Sequence, residues 1–98
     1  MVDLSLLPLA AEEYHGAVEW YQQRSPRAAS RFATAVERIL SQIVAQPDRF
    51  GWYDDEFREA ILRDYPFSVI YRVGATGAVL VVAVAHSSRE PGYWIDRY

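Results

Sequence analysis

The run Val79–Ala85 is the feature that most restricts how this chain can fold. Every side chain in the run is apolar and more than half are β-branched, which is typical of a central strand covered on both faces. Counted from Ala78, the apolar stretch is eight residues long, whereas a helix needs ~20 apolar residues to cross a bilayer. The rest of the chain must therefore cover two faces of one sheet.

The length of the chain predicts a single domain over residues 1–98. A chain of 98 residues buries only ~60–65% of its unfolded surface and has no room for a second core. Cysteine is absent, and histidine occurs only as His15 and His86. These counts exclude a disulfide scaffold and a thiol nucleophile, and we predict that the protein has no cofactor and no metal site.

The charged residues restrict what the protein can bind. All ten basic residues are arginine, and thirteen acidic residues bring the net charge to −3. This balance argues against broad, sequence-independent binding of nucleic acid. Residues Met1–Leu4 carry no basic leader, so a signal peptide is not expected. We predict a cytoplasmic protein that does not associate with membranes.

Two segments in the first half of the chain have the hydrophobic spacing of helices. One follows Pro8 and extends to Gln23, and the other extends from Pro26 to Ala45. Ser25 can cap the second helix, and Pro26 suits its first position. Because the connection is very short, the two helices are expected to pack as an antiparallel hairpin. The predicted apolar stripes are Tyr14, Ala17, Val18 and Tyr21, then Ala28, Phe32, Ala35, Val36, Ile39, Leu40 and Ile43.

The remaining periodic segments favour β-strands. A short strand is predicted within residues 3–7 and a longer one over Phe57–Tyr65, with a bend at Pro66. Phe67–Val73 alternates well, and residues 74–77 form a turn that joins it to Val79–Ala85 in a hairpin. The predicted fold class is α+β with the order β-α-α-β-β-β, in which a helical hairpin packs on a twisted, mostly antiparallel sheet.

The segment His86–Arg97 is the strongest candidate for chemistry, because it follows the central strand directly. His86 is the one side chain in it whose ordinary pKa is near neutrality. Alternation along the strand predicts that His86 lies on the same face as Leu80, Val82 and Val84. It is either a functional base or a histidine that closes the sheet edge through local hydrogen bonds.

Four further side chains of this segment each have a functional and a structural interpretation. Arg89 and Arg97 either contact a ligand or target, or form surface ion pairs with neighbouring acids. Tyr93 and Trp94 either contact a ligand or target, or pack the tail against the sheet. A second arginine group, Arg58, Arg63 and Arg72, lies on the adjoining strands, and the register decides whether Arg63 or Arg72 approaches His86.

The whole pattern resembles the RelE/ParE toxin superfamily, the toxic half of bacterial type II toxin–antitoxin modules, whose members are often labelled plasmid stabilisation proteins. The resemblance covers essentially the full chain. It is carried by the strands Tyr65–Val73 and Val81–His86, the tail Arg89-x-Pro91-x-Tyr93-Trp94-x-x-Arg97, the helices Tyr14–Tyr21 and Ala28–Ile43, and Pro47.

The resemblance implies one of two activities. RelE-like members cleave mRNA on the ribosome without a metal. The matching residues here are His86 as base, Arg89 or Arg63 as phosphate clamp, and Tyr93 as acid or orienting residue. ParE-like members inhibit DNA gyrase and are not nucleases. Ser68 and Ser87 stand where the nucleases tend to have arginine, and lysine is absent. The resemblance therefore favours the ParE-like activity, with mRNA cleavage as the alternative and an inactive binding partner as a second alternative.

The resemblance also implies that the protein works in a complex. Its partner is a cognate antitoxin, and its target is gyrase or, for the alternative, the ribosome and its mRNA. We assign Trp94 and Arg97 to target binding. Trp20, Trp52 and Tyr53 are assigned to antitoxin binding, because large aromatic side chains dominate interface energies. For Trp20 the alternative is burial in the core of the protein itself.

Overall fold

The computed structural model of the protein describes residues 3–97. Met1 and Val2, part of the segment for which no leader is predicted, lie outside the described residues. The elements are β1 (Leu4–Leu6), α1 (Pro8–Gln22), α2 (Pro26–Ala45), β2 (Arg58–Ile61), β3 (Phe67–Val73), β4 (Val79–His86) and a final turn of 3₁₀ helix, Ile95–Arg97. Within residues 3–97, no helix has the length and hydrophobicity required to span a membrane.

The four strands form one sheet in the order β1-β4-β3-β2. β4 pairs with β3 antiparallel and with β1 parallel, and β2 pairs with β3 antiparallel. The predicted α+β class, element order and mostly antiparallel sheet are therefore confirmed, with β1–β4 as the parallel pair. β4 lies inside the sheet, as its apolar sequence predicts.

The helical hairpin forms where the sequence predicts it. Ser25 has an extended backbone and its Oγ accepts a hydrogen bond from the Ala28 amide at 2.9 Å, so the predicted cap and the start of α2 are confirmed. The predicted stripes of α1 and α2 pack on one face of the sheet. The centre of this packing is formed by the buried side chains of Ala17, Phe32, Val36, Ile43, Val69, Tyr71, Val79 and Val81.

The opposite face of the sheet is covered by the loop before β2 and by the C-terminal tail. Phe57 and Trp94 pack there against Ile70, Val82 and Ala83. Trp94 is 2% exposed, and its ring makes edge contacts with Tyr53 and Phe57 at centroid distances of 5.0 and 4.8 Å. Both faces of β4 are therefore buried, as its sequence predicts.

The predicted strand Phe57–Tyr65 is too long. β2 ends at Ile61, and residues 63–64 form a turn that leads into β3. Residues 57–65 contain no glycine or proline that would mark this turn, which is why the sequence suggested a longer strand. Leu62 is nevertheless buried and its amide donates to the Phe67 carbonyl, so the turn is held against the start of β3.

An irregularity in β4 changes which face its last residues occupy. Tyr71 pairs with Val81 and Ile70 pairs with Ala83, so Val82 has no partner residue on β3. Such a bulge interrupts the alternation by one residue. Val84 and His86 consequently share the helix-facing side with Val81, whereas Leu80 and Val82 pack on the other face. The prediction that His86 shares a face with Leu80 and Val82 was wrong, because the sequence gives no sign of the bulge.

Candidate functional site

A groove of about 400 Å³ lies between α1 and the end of β4, and the start of the C-terminal tail closes one side of it. Most of its wall is apolar, and the polar groups gather at the end that meets the tail. We call this the α1–tail groove. Its lining residues are Glu13, Gly16, Ala17, Trp20, Tyr21, Pro66, Phe67, Val84, His86, Arg89 and Tyr93.

His86 enters this groove because it is the last residue of β4 and the bulge turns it towards α1. Its Nδ1 accepts a hydrogen bond from the Ser88 amide at 2.9 Å, and its ring meets the Phe67 ring edge-on at a centroid distance of 5.0 Å. Among residues 3–97, its Nε2 has no hydrogen-bond partner. The local role predicted for His86 is thus present. Because Nδ1 is the acceptor, the neutral ring carries its proton on Nε2, which is available to donate a hydrogen bond to a ligand.

Tyr93 reaches the groove from the tail and is held there by α1. Its hydroxyl donates a hydrogen bond to Glu13 Oε2. Burial is the main cause that raises the pKa of Tyr93 to about 12, and this hydrogen bond is the second cause. The guanidinium carbon of Arg89 lies 3.9 Å from the centre of the Tyr93 ring. The phenol is therefore a weak proton donor, and its proton is already directed at a carboxylate.

Arg97 meets the same carboxylate from the other side. It donates to both Glu13 oxygens at 2.8 and 2.9 Å, and to the Val82 carbonyl at 3.0 Å. The Arg97 and Glu13 side chains are 12% and 16% exposed. Hydrogen bonding to Glu13 raises the pKa of Arg97. The predicted ion pair of Arg97 exists, but its partner is Glu13 of α1 rather than a neighbouring acid of the tail.

Three of the four residues predicted for a nuclease come together and the fourth does not. His86, Arg89 and Tyr93 all line the α1–tail groove. Arg63 lines a separate groove, with α2 and the turn after β2. Arg72 pairs with Glu56 and lies opposite Leu80, at the other end of the β3–β4 pair from His86. The turn after β2 thus separates Arg63 from His86, and the β3–β4 register separates Arg72 from it.

The residues predicted to bind an antitoxin or a target lie in different places. Trp20 is 50% exposed on the wall of the α1–tail groove, where Arg24 stacks on its ring at 3.3 Å. Trp52 is 61% exposed beside Arg58, and Tyr53 packs against Trp94 on the opposite face of the sheet. Trp94, predicted to bind the target, is buried. Arg97, predicted for the same role, forms an ion pair with Glu13, so both side chains already have a structural role.

Glu13 is the residue of this site that the sequence did not reveal. It lies in an early turn of α1, yet it joins Tyr93, Arg97 and the Val84 amide, which donates to Oε1 at 3.0 Å. Its partners lie 71 to 84 residues away in sequence, and a single sequence carries no signal for such contacts. Within residues 3–97, no group of three potential metal ligands is present.

Comparisons of the sequence with known families and of the fold with solved structures both lead to one class of protein. A family model described as "ParE toxin of type II toxin-antitoxin system, parDE" matches residues 4–91. The chain therefore belongs to the ParE toxin family, and the predicted membership of the RelE/ParE superfamily is confirmed. A comparison with curated protein sequences finds no match to this chain.

A solved structure shares the fold. It is described as "Chromosomal ParDE TA system from P. aeruginosa" and superposes with a TM-score of 0.63 at 20% identity. The match covers 88% of this chain and 96% of the other. At that identity the likeness shows a common fold, and the family assignment rests on the match to residues 4–91.

Proposed function

We propose that this protein is a toxin that arrests bacterial growth by binding a protein target such as DNA gyrase in the cytoplasm, and that a cognate antitoxin neutralises it. Membership of the ParE toxin family supports the toxin assignment. We favour a protein target because Tyr93 and Arg97 both donate hydrogen bonds to the Glu13 carboxylate.

Metal-independent RNA cleavage needs a base, an acid and cations that stabilise the charged phosphorane. In the α1–tail groove the acid would be Tyr93, whose pKa is raised to about 12 and whose proton is held by Glu13. The charge of Arg97 is matched by the same carboxylate. The Glu13–Arg97 pair therefore offers no net positive charge to a phosphate. These features favour contact with a protein surface over phosphate chemistry.

The antitoxin partnership is supported by the neighbouring fold, which was solved as part of a ParDE toxin–antitoxin system. In this chain the α1–tail groove is the surface that suits such a partner, since it is largely apolar and Trp20 lies half-exposed on its wall. An amphipathic partner segment fits a groove of this type. Trp20 is the anchor we propose, while Trp52 and Tyr53 lie outside this groove.

The proposed function is tested by induced expression in a bacterial host that lacks the antitoxin, with parallel pulse labelling of DNA and protein synthesis. An early stop in DNA synthesis with filamentation is expected. In a separate assay, purified toxin added to gyrase and DNA is expected to cause cleaved gyrase–DNA complexes to accumulate. Normal supercoiling by gyrase in the presence of excess toxin contradicts the gyrase target. Absence of any growth effect from soluble toxin supports the inactive-partner alternative.

Ribosome-dependent mRNA cleavage remains the second candidate, because His86, Arg89 and Tyr93 converge on one groove. In this candidate the His86 ring changes tautomer and gives up the hydrogen bond from the Ser88 amide, so that Nε2 can take the proton of the RNA 2′-hydroxyl. Arg89 then stabilises the phosphorane. The same labelling experiment separates the two candidates, since mRNA cleavage stops protein synthesis first. Only this candidate makes the protein an enzyme.

A further inference from the structure

A second groove, of about 460 Å³, lies between the C-terminal half of α2 and the turn after β2. Three guanidinium groups line it: Arg38 from α2, Arg49 from the loop after α2, and Arg63 from the turn. Between them lie apolar and aromatic side chains. We call this the arginine groove, and its other lining residues are Ala35, Ile39, Gln42, Phe50, Ile61, Leu62, Asp64 and Tyr65.

The three arginines have no acidic partner in the part of the chain that the structure describes. Neither an ion pair nor a side-chain hydrogen bond involves Arg38, Arg49 or Arg63 there. Arg49 makes a cation–π contact, in which its guanidinium carbon lies 5.7 Å from the centre of the Phe50 ring. All three side chains are exposed. Their hydrogen-bonding capacity is therefore available to a ligand.

The charge of this groove is opposite to that of the whole chain. The protein carries thirteen acidic residues and a net charge of −3, yet the one acidic residue that lines this groove is Asp64. Like charges gathered on one surface repel each other and lower the stability of the folded state. A negatively charged ligand that enters the groove relieves this repulsion and gains charge-assisted hydrogen bonds.

We propose that the arginine groove binds an acidic segment of a protein partner. Guanidinium groups form bidentate hydrogen bonds with carboxylates, and arginine is enriched at protein interfaces. The apolar part of the groove includes Ile61, which is 66% exposed on the edge strand β2, and it accepts an aliphatic side chain of the partner. The segment that fits is a short peptide with alternating acidic and aliphatic residues.

An acidic peptide suits this groove better than nucleic acid does. Binding along a phosphate backbone rewards a broadly positive surface, whereas this protein is acidic overall. Ile39 and Ile61 also offer an apolar surface for which a phosphate backbone has no matching group. The groove is separate from the α1–tail groove, so this proposal holds whether the target of the toxin is gyrase or the ribosome.

Fluorescence anisotropy with a labelled synthetic peptide of alternating Glu and Leu tests the proposal. The purified full-length protein is expected to bind this peptide, with an affinity that falls as salt is raised. The same peptide with Gln in place of each Glu is expected to bind much more weakly. The double variant Arg38→Gln/Arg63→Gln is expected to lose about tenfold in affinity for the acidic peptide, since each exposed charge pair contributes modestly.

Arg27→Gln is the matched control, because Arg27 is exposed on α2 and does not line the groove. It is expected to bind the peptide as the wild-type protein does, and urea unfolding checks that all variants are folded. Equal binding of the Glu and Gln peptides overturns the proposal. It is also overturned if Arg27→Gln loses as much affinity for the acidic peptide as the double variant does. Binding of a short DNA duplex in preference to the peptide also overturns it. None of these results depends on growth arrest, so failure here is distinct from failure of the proposed toxin activity.

Discussion

The Glu13 carboxylate and the Arg97 guanidinium together occupy the edge of β4 where its neighbouring strand ends. β1 stops at Leu6, and the last bond of that ladder is from the Leu7 amide to the Val81 carbonyl. Beyond that point, the Val82 carbonyl accepts from Arg97 and the Val84 amide donates to Glu13. The ion pair thus satisfies backbone groups at the bulge and fastens α1, β4 and the tail to one another.

We predict that Glu13→Gln lowers the free energy of unfolding by about 2 kcal/mol, because a charged hydrogen bond is lost and Arg97 keeps an unmatched charge in a mostly buried site. Urea unfolding at neutral pH measures the change. Glu12→Gln is the control, since Glu12 is exposed on the same helix and its replacement is expected to change stability by less than about 0.5 kcal/mol. Equal effects of the two substitutions contradict the structural role of Glu13.

A second prediction concerns alkaline pH. The pKa of Tyr93 is about 12 in the folded protein, compared with 10.0 for a free phenol, so the folded state holds this proton more tightly. The stability that results is complete below pH ~10 and is lost as pH rises towards ~12. Tyr93→Phe is expected to be less stable at neutral pH, since it lacks the bond to Glu13, and to lose less stability between pH ~9 and pH ~11 than the wild-type protein.

Urea unfolding at the two pH values measures this difference. Burial also raises the pKa of Tyr14, Tyr21 and Tyr71, and their contribution is common to both proteins. The comparison therefore isolates Tyr93. A parallel decline in the wild-type protein and the variant contradicts a raised pKa at this position.

The helices, β3 and β4 were predictable because each carries its own local signal. The spacing of apolar residues in α2, with Ser25 and Pro26 at its start, defines the helix without reference to the rest of the chain. The bulge at Val82 is different, because it depends on how β4 pairs with β3, and it decides that His86 faces α1. The sequence indicated the region of the site through His86, Arg89 and Tyr93, but the role of Glu13 depends on contacts across most of the chain.

The cap of α2 provides a third prediction. Ser25→Ala removes the acceptor of the Ala28 amide and is expected to lower the free energy of unfolding by about 1 kcal/mol. Ser30→Ala is the control, since Ser30 is exposed within α2 and alanine is the better helix former. Urea unfolding should show a lower midpoint for Ser25→Ala, and a midpoint for Ser30→Ala that is unchanged or higher. A lower midpoint in both variants contradicts a specific capping role.

A fourth prediction separates the two roles of Trp94. Because its ring is buried against Tyr53 and Phe57, Trp94→Ala is expected to cost about 3–5 kcal/mol of stability, and any loss of growth arrest then follows from unfolding. Trp94→Phe keeps an aromatic ring in the cluster and is expected to remain folded and to arrest growth. Loss of growth arrest in a Trp94→Phe protein whose urea midpoint is near that of the wild type indicates direct contact with the target.

The last prediction concerns His86, where the two candidate activities differ most clearly. If the toxin acts by binding a protein target, no proton transfer is required. We therefore expect His86→Gln to arrest growth within about twofold of the wild-type protein, provided that it is folded. Glutamine keeps a polar side chain of similar reach beside Phe67 and the Ser88 amide. The measurement is colony formation after induction in a host without antitoxin, with protein level and urea midpoint determined in parallel.

A nuclease that uses His86 as its base instead predicts a loss of about 10²–10⁴-fold in mRNA cleavage for the same variant, since that is the usual contribution of a general base. His15→Gln serves as the control, because His15 is exposed on α1 and does not line the α1–tail groove. Full activity of His15→Gln together with loss of arrest in folded His86→Gln contradicts the proposed protein target. It would then favour ribosome-dependent cleavage, with Arg89 as the next residue to replace.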